Sequence, residues 1–526
     1  MKYLIAIFLI DYSNFLWATS FAKTFGGLYD DFAYSILETN DGYIVAGYTN
    51  SFGAGGSDFL IIKLSYNGEI EWAKTYGGQN IDIPYSIKQT SDGGYVIAGY
   101  TASFGAGYFD FLIIKLSYDG NILWAKTFGG AGYDVATSIQ ETNDGYIVGI
   151  YTNSFGAGSS DFLIIKLSYN GEIEWAKTFG EERSEELYSI DLTDDGGYIL
   201  AGSTTSWGPS DFDVLIIKLS SNGNIETIKS FFGGGTDEIA TFIQKTNDGY
   251  IISGYTWPLG AGEKDCLVLK LSSNLNIEWG REYGGITYDA SNSIKQTTDG
   301  GYILTGYTQS FGPSGSVLVI KLLNNGIPQW ARIFGGGNID AGNSVQQTSD
   351  GGYIVAGYTN SFGAGGSDFL IIKTHDNQMG PDCPWYSFYP TVTFADFSYS
   401  YLLPVITSPS IISNSPPIEV SSPPVQTFDV CTPVSSKEII LRQKIIVKSF
   451  PFIKNKISLI FSEYYEGKIK IILYDIVGNE IFSKIFDFNN YIEIKDKKFE
   501  KLKKGIYFLK IYLNEKEIEK FRMIKI

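Results

Sequence analysis

One phrase constrains this chain more than any other: Asp-Gly-Gly-Tyr-Ile-Val-Ala-Gly-Tyr-Thr, as it stands at residues 350–359. Variants of it begin at Asp41, Asp92, Asp144, Asp195, Asp248 and Asp299, giving seven copies spaced 51 to 53 residues apart. A period of that size in strand-forming residues means a unit that cannot bury its apolar face alone and must stack or close with its neighbours. Each unit reads as four strands. Around Asp92 these are a short alternating run at 86–90, a second strand at 95–101, a nearly continuous apolar third at 110–117, and a fourth at 121–128 carrying Trp124. A strand apolar on both faces needs cover on both. Asp119-Gly120 suits the tight turn between the third and fourth, because a type I′ turn needs positive φ at both central positions.

Four antiparallel strands repeated seven times are the content of an all-β, seven-bladed β-propeller. The ends of the array favour closure over a linear stack. Phe21-Ala22-Lys23-Thr24-Phe25-Gly26-Gly27 repeats the fourth-strand segment Trp72-Ala73-Lys74-Thr75-Tyr76-Gly77-Gly78, whereas the last copy stops after a third strand at 368–373. The N-terminal strand is therefore expected to complete the last blade and remove two bare edges. The strings Ser-Ile-x-x-Thr-x-Asp-Gly-Gly-Tyr-Ile, Gly-Tyr-Thr, Asp-Phe-Leu-Ile-Ile-Lys-Leu and Trp-Ala-Lys-Thr-Phe-Gly-Gly resemble the seven-bladed propeller repeat of exported bacterial proteins over residues 21–374. The resemblance implies the fold and, for function, a secreted or surface-borne repeat module.

The flanks divide the rest. Met1-Lys2, an apolar run at 3–10 and the small-x-small Ala18-Thr19-Ser20 read as a secretory leader over 1–20. No segment reaches the ~20 apolar residues of a membrane-spanning helix. The propeller is expected over 21–375, a Pro/Ser-rich spacer of extended, polyproline-like chain over 376–436, and a small β-sandwich over 437–526. Cys383 and Cys431 bracket the spacer. In an exported protein they are expected to form a disulfide, the alternative being two free thiols. Cys266, in a third strand, is most simply a small buried apolar residue. Ser449-Phe450-Pro451-Phe452, the stretch 471–480, the stretch 504–510 and the closing Met523-Ile524-Lys525-Ile526 resemble the C-terminal sorting domain of type IX secretion substrates, with Phe450 where that family has Asn. The resemblance implies a partnership with that secretion machinery and delivery across an outer membrane.

The net charge of −17 is unevenly spread. Residues 437–526 hold 20 Lys and Arg against 12 Asp and Glu, whereas the other residues hold 20 against 45. So acidic a body repels nucleic acid and anionic lipid, which excludes both as partners of the main domain. One His and three Cys are too few for a Cys/His zinc site.

Candidate binding residues fall on the face bearing the second-to-third loops and the fourth-to-first connections. Asp31, Asp82, Asp134, Glu185, Glu238, Asp289 and Asp340 open the first strands. If first strands line a central channel, these form a ring at its mouth. Asp58, Asp110, Asp161, Asp213, Asp265 and Asp368 open the third strands, with Ser316 in the remaining copy. Clustered carboxylates suit Ca²⁺, whereas an Asp that accepts backbone N–H bonds in its own turn would recur through duplication alone. The second-to-third loops carry Phe52, Phe104, Phe155, Trp207, Phe311 and Phe362, with Leu259 as the exception. On a rim these would stack on a glycan or peptide ligand; under the loop they would only pack.

Lys63, Lys115, Lys166, Lys218, Lys270, Lys321 and Lys373 lie within the apolar third strands. Each must snorkel to an edge or pair with a carboxylate between blades. Trp72, Trp124, Trp175, Trp279 and Trp330 suit packing between blades, which makes Thr227, in the same position, the weakest fourth strand. The only His, His375, stands apart from any repeated Ser or acid. A glycan-active hydrolase, the alternative to a non-catalytic binding module, would need converging acids and an Arg. The ring offers only Arg183, Arg281 and Arg332.

Overall fold

The computed structural model describes residues 20–374, apart from 209–210, 234–236, 258–262 and 313, and beyond them short strands between 385 and 429 and longer ones between 456 and 525. The leader at 1–19, His375 and both cysteines of the expected disulfide, Cys383 and Cys431, lie outside the described residues. Cys266 is buried and free.

The first compact unit ends at Cys431. Its seven antiparallel sheets are the blades of a propeller, numbered here from Asp31 onwards. Blade 2 is typical: Asp82–Gln89, Tyr95–Thr101, Asp110–Leu116 and Ile122–Gly129. Closure is as expected. The strand Phe21–Gly26 pairs antiparallel with Asp368–Lys373, Phe21 opposite Lys373 and Phe25 opposite Phe369.

The core lies between blades. Leu60 and Ile62 of blade 1 pack with Phe25, Phe369 and Ile371 of blade 7, while Phe59 and Ile61 turn the other way onto Ile97 and Leu112 of blade 2. That division explains the uninterrupted apolar run of the third strand, in which alternate residues serve opposite neighbours. The fourth-strand aromatics complete each contact. Trp72 meets Tyr95 of the next blade with ring centroids 6.3 Å apart, and it lies against Gly120 at the next hairpin. Gly120 has φ of +76°, and a Cβ there would stand 3.0 Å from the indole.

One junction breaks the pattern. Blade 4 has Thr227 in place of Trp, and blade 5 has Leu275 where blade 2 has Gly120. Leu275 keeps the turn's positive φ, at 58°, and is fully buried. Its side chain joins the cluster between these two blades, so the smaller residue on one side is offset by a larger one on the other.

Residues 376–436 do not form a free spacer. Seven short strands within them each pair antiparallel with the fourth strand of a different blade. Trp385–Ser387 joins blade 6, Thr391–Phe394 blade 5 and Phe397–Tyr401 blade 4. Val405–Thr407 joins blade 3, Ile412–Asn414 blade 2, Glu419–Ser421 blade 1, and Gln426–Asp429 the strand Phe21–Gly26 of blade 7. The chain thus returns around the ring as a girdle and covers all seven outer edges. An edge strand with bare N–H and C=O groups invites pairing with another chain. The proline count misled because the prolines stand between the short strands.

In the second unit, Glu480–Asp487, Lys468–Asp475, Gly505–Leu513 and Lys516–Lys525 form one antiparallel sheet in that order. Lys456–Ile460 pairs with Tyr491–Lys495.

Candidate functional site

The seven third-strand lysines are held by ion pairs within their own blades. Lys63 Nζ lies 2.9 Å from Asp41 and 3.3 Å from Glu71, and its side chain is fully buried. Lys115 meets Asp92 at 2.8 Å, Lys166 Asp144 at 2.7 Å and Lys373 Asp350 at 2.7 Å. The carboxylate is thus the aspartate of the repeated phrase itself. Burial alone would raise Asp41, but hydrogen bonds from Tyr118 and Lys63 outweigh it and hold the group at about 2. Lys218 and Thr193 hold Asp195 at about 2.

At the other end of the blades, loops and connections bond to one another: Gly56 N donates to Gln79 O at 3.2 Å, and Ala102 N to Ile81 O at 2.7 Å. Here the structure places both acidic series inside the protein. Asp31, Asp82, Asp134, Glu185, Glu238, Asp289 and Asp340 have no exposed surface, so they form no ring of carboxylates at a channel mouth. Asp82 Oδ2 accepts from Gly78 N at 2.7 Å and Ser103 Oγ at 2.8 Å, tying the connection to the next loop. Asp110 Oδ2 accepts from Ala106 N at 2.9 Å and Gly107 N at 3.0 Å in its own loop. Burial raises Asp31, Asp82, Asp110, Asp161 and Asp289, and raises Asp368 to about 6. Among the described residues no three Asp, Glu, His or Cys side chains converge as a metal site.

The loop aromatics are half-buried. Phe52 and Phe104 lie over the second glycine of the preceding Gly-Gly pair, so that a Cβ on Gly27 or Gly78 would stand 2.8 Å from the ring. Phe155, Trp207, Phe311 and Phe362 pack against the cores between blades. What this face exposes instead are residues in or beside the connections. Leu28 is 71% exposed, Tyr29 65%, Tyr108 70% and Ile286 81%. The rings of Tyr108 and Tyr133 stack with centroids 5.5 Å apart. Leu28, Tyr29 and Ile81 also wall an open recess with Asn50, Ser57 and Gly366.

The first strands of all seven blades line a central cavity of about 340 Å³. Each has a β-bulge in its pairing with the second strand, at Tyr34, Tyr85, Thr137, Tyr188, Thr241, Asn292 and Asn343. A bulge re-aims the side chain of its extra residue, and all seven of these face the cavity. The Thr and Asn members also join blades: Thr241 Oγ1 donates to Ser291 O at 2.8 Å and Asn343 Nδ2 to Ala33 O at 2.8 Å. Three positions further on stand Leu37, Lys88, Gln140, Asp191, Gln244, Lys295 and Gln346. Lys88 and Lys295 line the cavity. The sequence reading passed over both. Their signal was a variable position directly after a constant Ile or Val in every first strand.

A lysine in blade 5 is boxed in by aromatics. Lys264 Nζ is 3.1 Å from the ring centroid of Tyr255, 4.2 Å from Tyr288 and 4.7 Å from Trp257. Burial lowers Lys264 to about 7. The box holds the protein's own cation.

No known family model matches this chain, and no curated protein matches it in sequence. Among the described residues no helix is long and apolar enough to cross a membrane.

Proposed function

We propose that this chain is an exported, non-catalytic binding module that presents its loop-bearing face to a glycan. The observation that carries the reading is the exposed stacked pair Tyr108 and Tyr133, with Tyr29 exposed on the same face. Large, flat, rigid side chains give contact area at low entropic cost, and solvent-facing aromatic rings among short polar loops suit a sugar ring. Export rests on the leader-like residues 1–20 and on the resemblance of the C-terminal segment to type IX sorting domains. The buried acidic series stiffen the face, and Ca²⁺ is not required for the contact.

The test is a glycan array probed with the full chain, with and without Ca²⁺, alongside a Tyr108→Ser/Tyr133→Ser variant. Binding that is independent of Ca²⁺ and lost in the variant supports the reading. Hits that the variant retains refute it, and hydrolysis of a bound glycan would move the chain to the glycan-active class. A protein partner is the second reading, favoured by the aliphatic Leu28 and Ile286 on this face. An empty array combined with loss of surface attachment in a Leu28→Ser/Ile286→Ser variant would select it.

A further inference from the structure

We propose that the central cavity is a binding site for a small oxyanion, held between the ammonium groups of Lys88 and Lys295. The two lysines come from blades 2 and 6, and both line a space of about 340 Å³ that every blade helps to enclose. That is near the lower end of the roughly 300–1,000 Å³ of small-molecule sites, so the occupant is one small molecule.

Three observations separate this site from a by-product of duplication. The equivalent positions elsewhere are Leu37, Gln140, Asp191, Gln244 and Gln346, so the fold does not need a cation there. Neither ammonium has a hydrogen bond or an ion pair with any described residue, in contrast to the seven third-strand lysines. Nζ of Lys295 lies over the face of Phe242, 4.5 Å from the ring centroid. Asp191, whose charge acts on both lysines, makes contact with neither and accepts instead from Lys245 N at 2.9 Å and Gln140 Nε2 at 3.3 Å. Two half-buried cations that share one cavity repel each other, a cost that falls when something pairs with them. An oxyanion with several acceptor oxygens can meet both at once. The surrounding body is acidic, so the attraction is local to this pair rather than a property of the surface.

Desolvation and the charge of Lys88 bring Lys295 down to about 7, and Lys88 is lowered as well. The other titratable groups lining or adjoining the cavity are Asp191, the phenols of Tyr34, Tyr85, Tyr151 and Tyr188, and Glu186, which accepts from Tyr188. Glu38, Glu141 and Lys245 follow one residue further on. Tyr34 and Tyr188 are pushed far above their ordinary values by burial and Tyr85 is also raised, so none of the three ionises near neutrality.

The test is calorimetric titration of the full chain with sulfate and, separately, succinate, at ionic strength held constant with chloride. Sulfate keeps its charge from pH 6 to pH 8, so the protein alone sets any pH dependence. The expected result is saturable binding at one site that weakens about tenfold over that range as Lys295 loses its proton. Lys88→Met or Lys295→Met should weaken it at least tenfold, and Lys295→Arg should retain binding while flattening the pH dependence. Absence of saturable binding by both anions overturns the proposal, as does binding that survives the double Met variant. Should that variant not fold, a Lys295→Arg profile as steep as the wild type's overturns it equally.

Discussion

Glu282 is a buried carboxylate with no neutralising partner among the described residues. It stands in the fourth strand of blade 5, where Thr75, Thr127 and Thr178 stand in blades 1 to 3. It is 1% exposed, and neither carboxylate oxygen has a hydrogen-bond partner among the described residues. Burial, with a smaller contribution from Asp265, raises its pKa from 4.5 to about 7. The folded protein therefore keeps a proton that the unfolded chain releases above pH 4.5. Stability falls as pH rises from there to about 7, and the penalty is complete above that. At about 1.4 kcal/mol per tenfold change in proton affinity the penalty is about 3 kcal/mol, which screening at the outer strands trims to about 2. Glu282→Thr should therefore stabilise the protein by about 2 kcal/mol at pH 8 and by little at pH 4.5. Denaturant unfolding of both proteins at pH 4.5, 6, 7 and 8 gives the difference directly, and Glu282→Gln controls for shape. A stability difference that does not change with pH would refute the reasoning, because it would mean the carboxyl titrates alike in both states.

The junction between blades 4 and 5 predicts a double-mutant cycle: Thr227→Trp and Leu275→Gly should each cost about 2–4 kcal/mol alone through overpacking or a cavity, and the pair should recover most of it. Additive losses in chemical denaturation would show that the two residues do not share a space. Removing residues 375–526 bares seven fourth-strand edges, so the shortened propeller should self-associate in light scattering and lose amide protection in its fourth strands; a monomer with unchanged exchange would argue against the girdle. The melting temperature should peak near pH 5. Asp31, Asp82 and Asp368 are raised, the last to about 6, so they destabilise progressively as pH climbs, while Asp41, Asp92 and Asp195, held at about 2, stabilise until pH falls below the ordinary carboxylate range of about 4. A flat profile between pH 4 and 7 would contradict these opposite shifts.

Much of the fold was legible because each unit repeats its local chemistry. The period set the blade, the two-sided apolar third strand set the sandwiching of one blade by two others, and the misplaced fourth strand at 21–26 set the closure. The girdle was harder to read. Its strands are three to five residues long, and they acquire meaning only from the edges they meet. Yet the units around Val405, Ile412, Glu419 and Gln426 recur every seven residues, which was the available signal. The candidate sites were less legible still. The acidic residue that opens nearly every first and third strand drew notice because it recurs, yet recurrence marked a role most blades share, that of holding a loop. The residues with a claim to bind something are those that differ between copies.

The sequence by itself determined the number of blades, their strand content and the way the ring shuts, since all three follow from spacing and alternation along the chain. Only the tertiary structure decided which side chains meet. Lys88 and Lys295 are 207 positions apart, and Thr227 and Leu275 belong to different repeats. In a closed ring the residues that face one another are chosen by blade number and height along the axis, and neither can be read from neighbours in the chain.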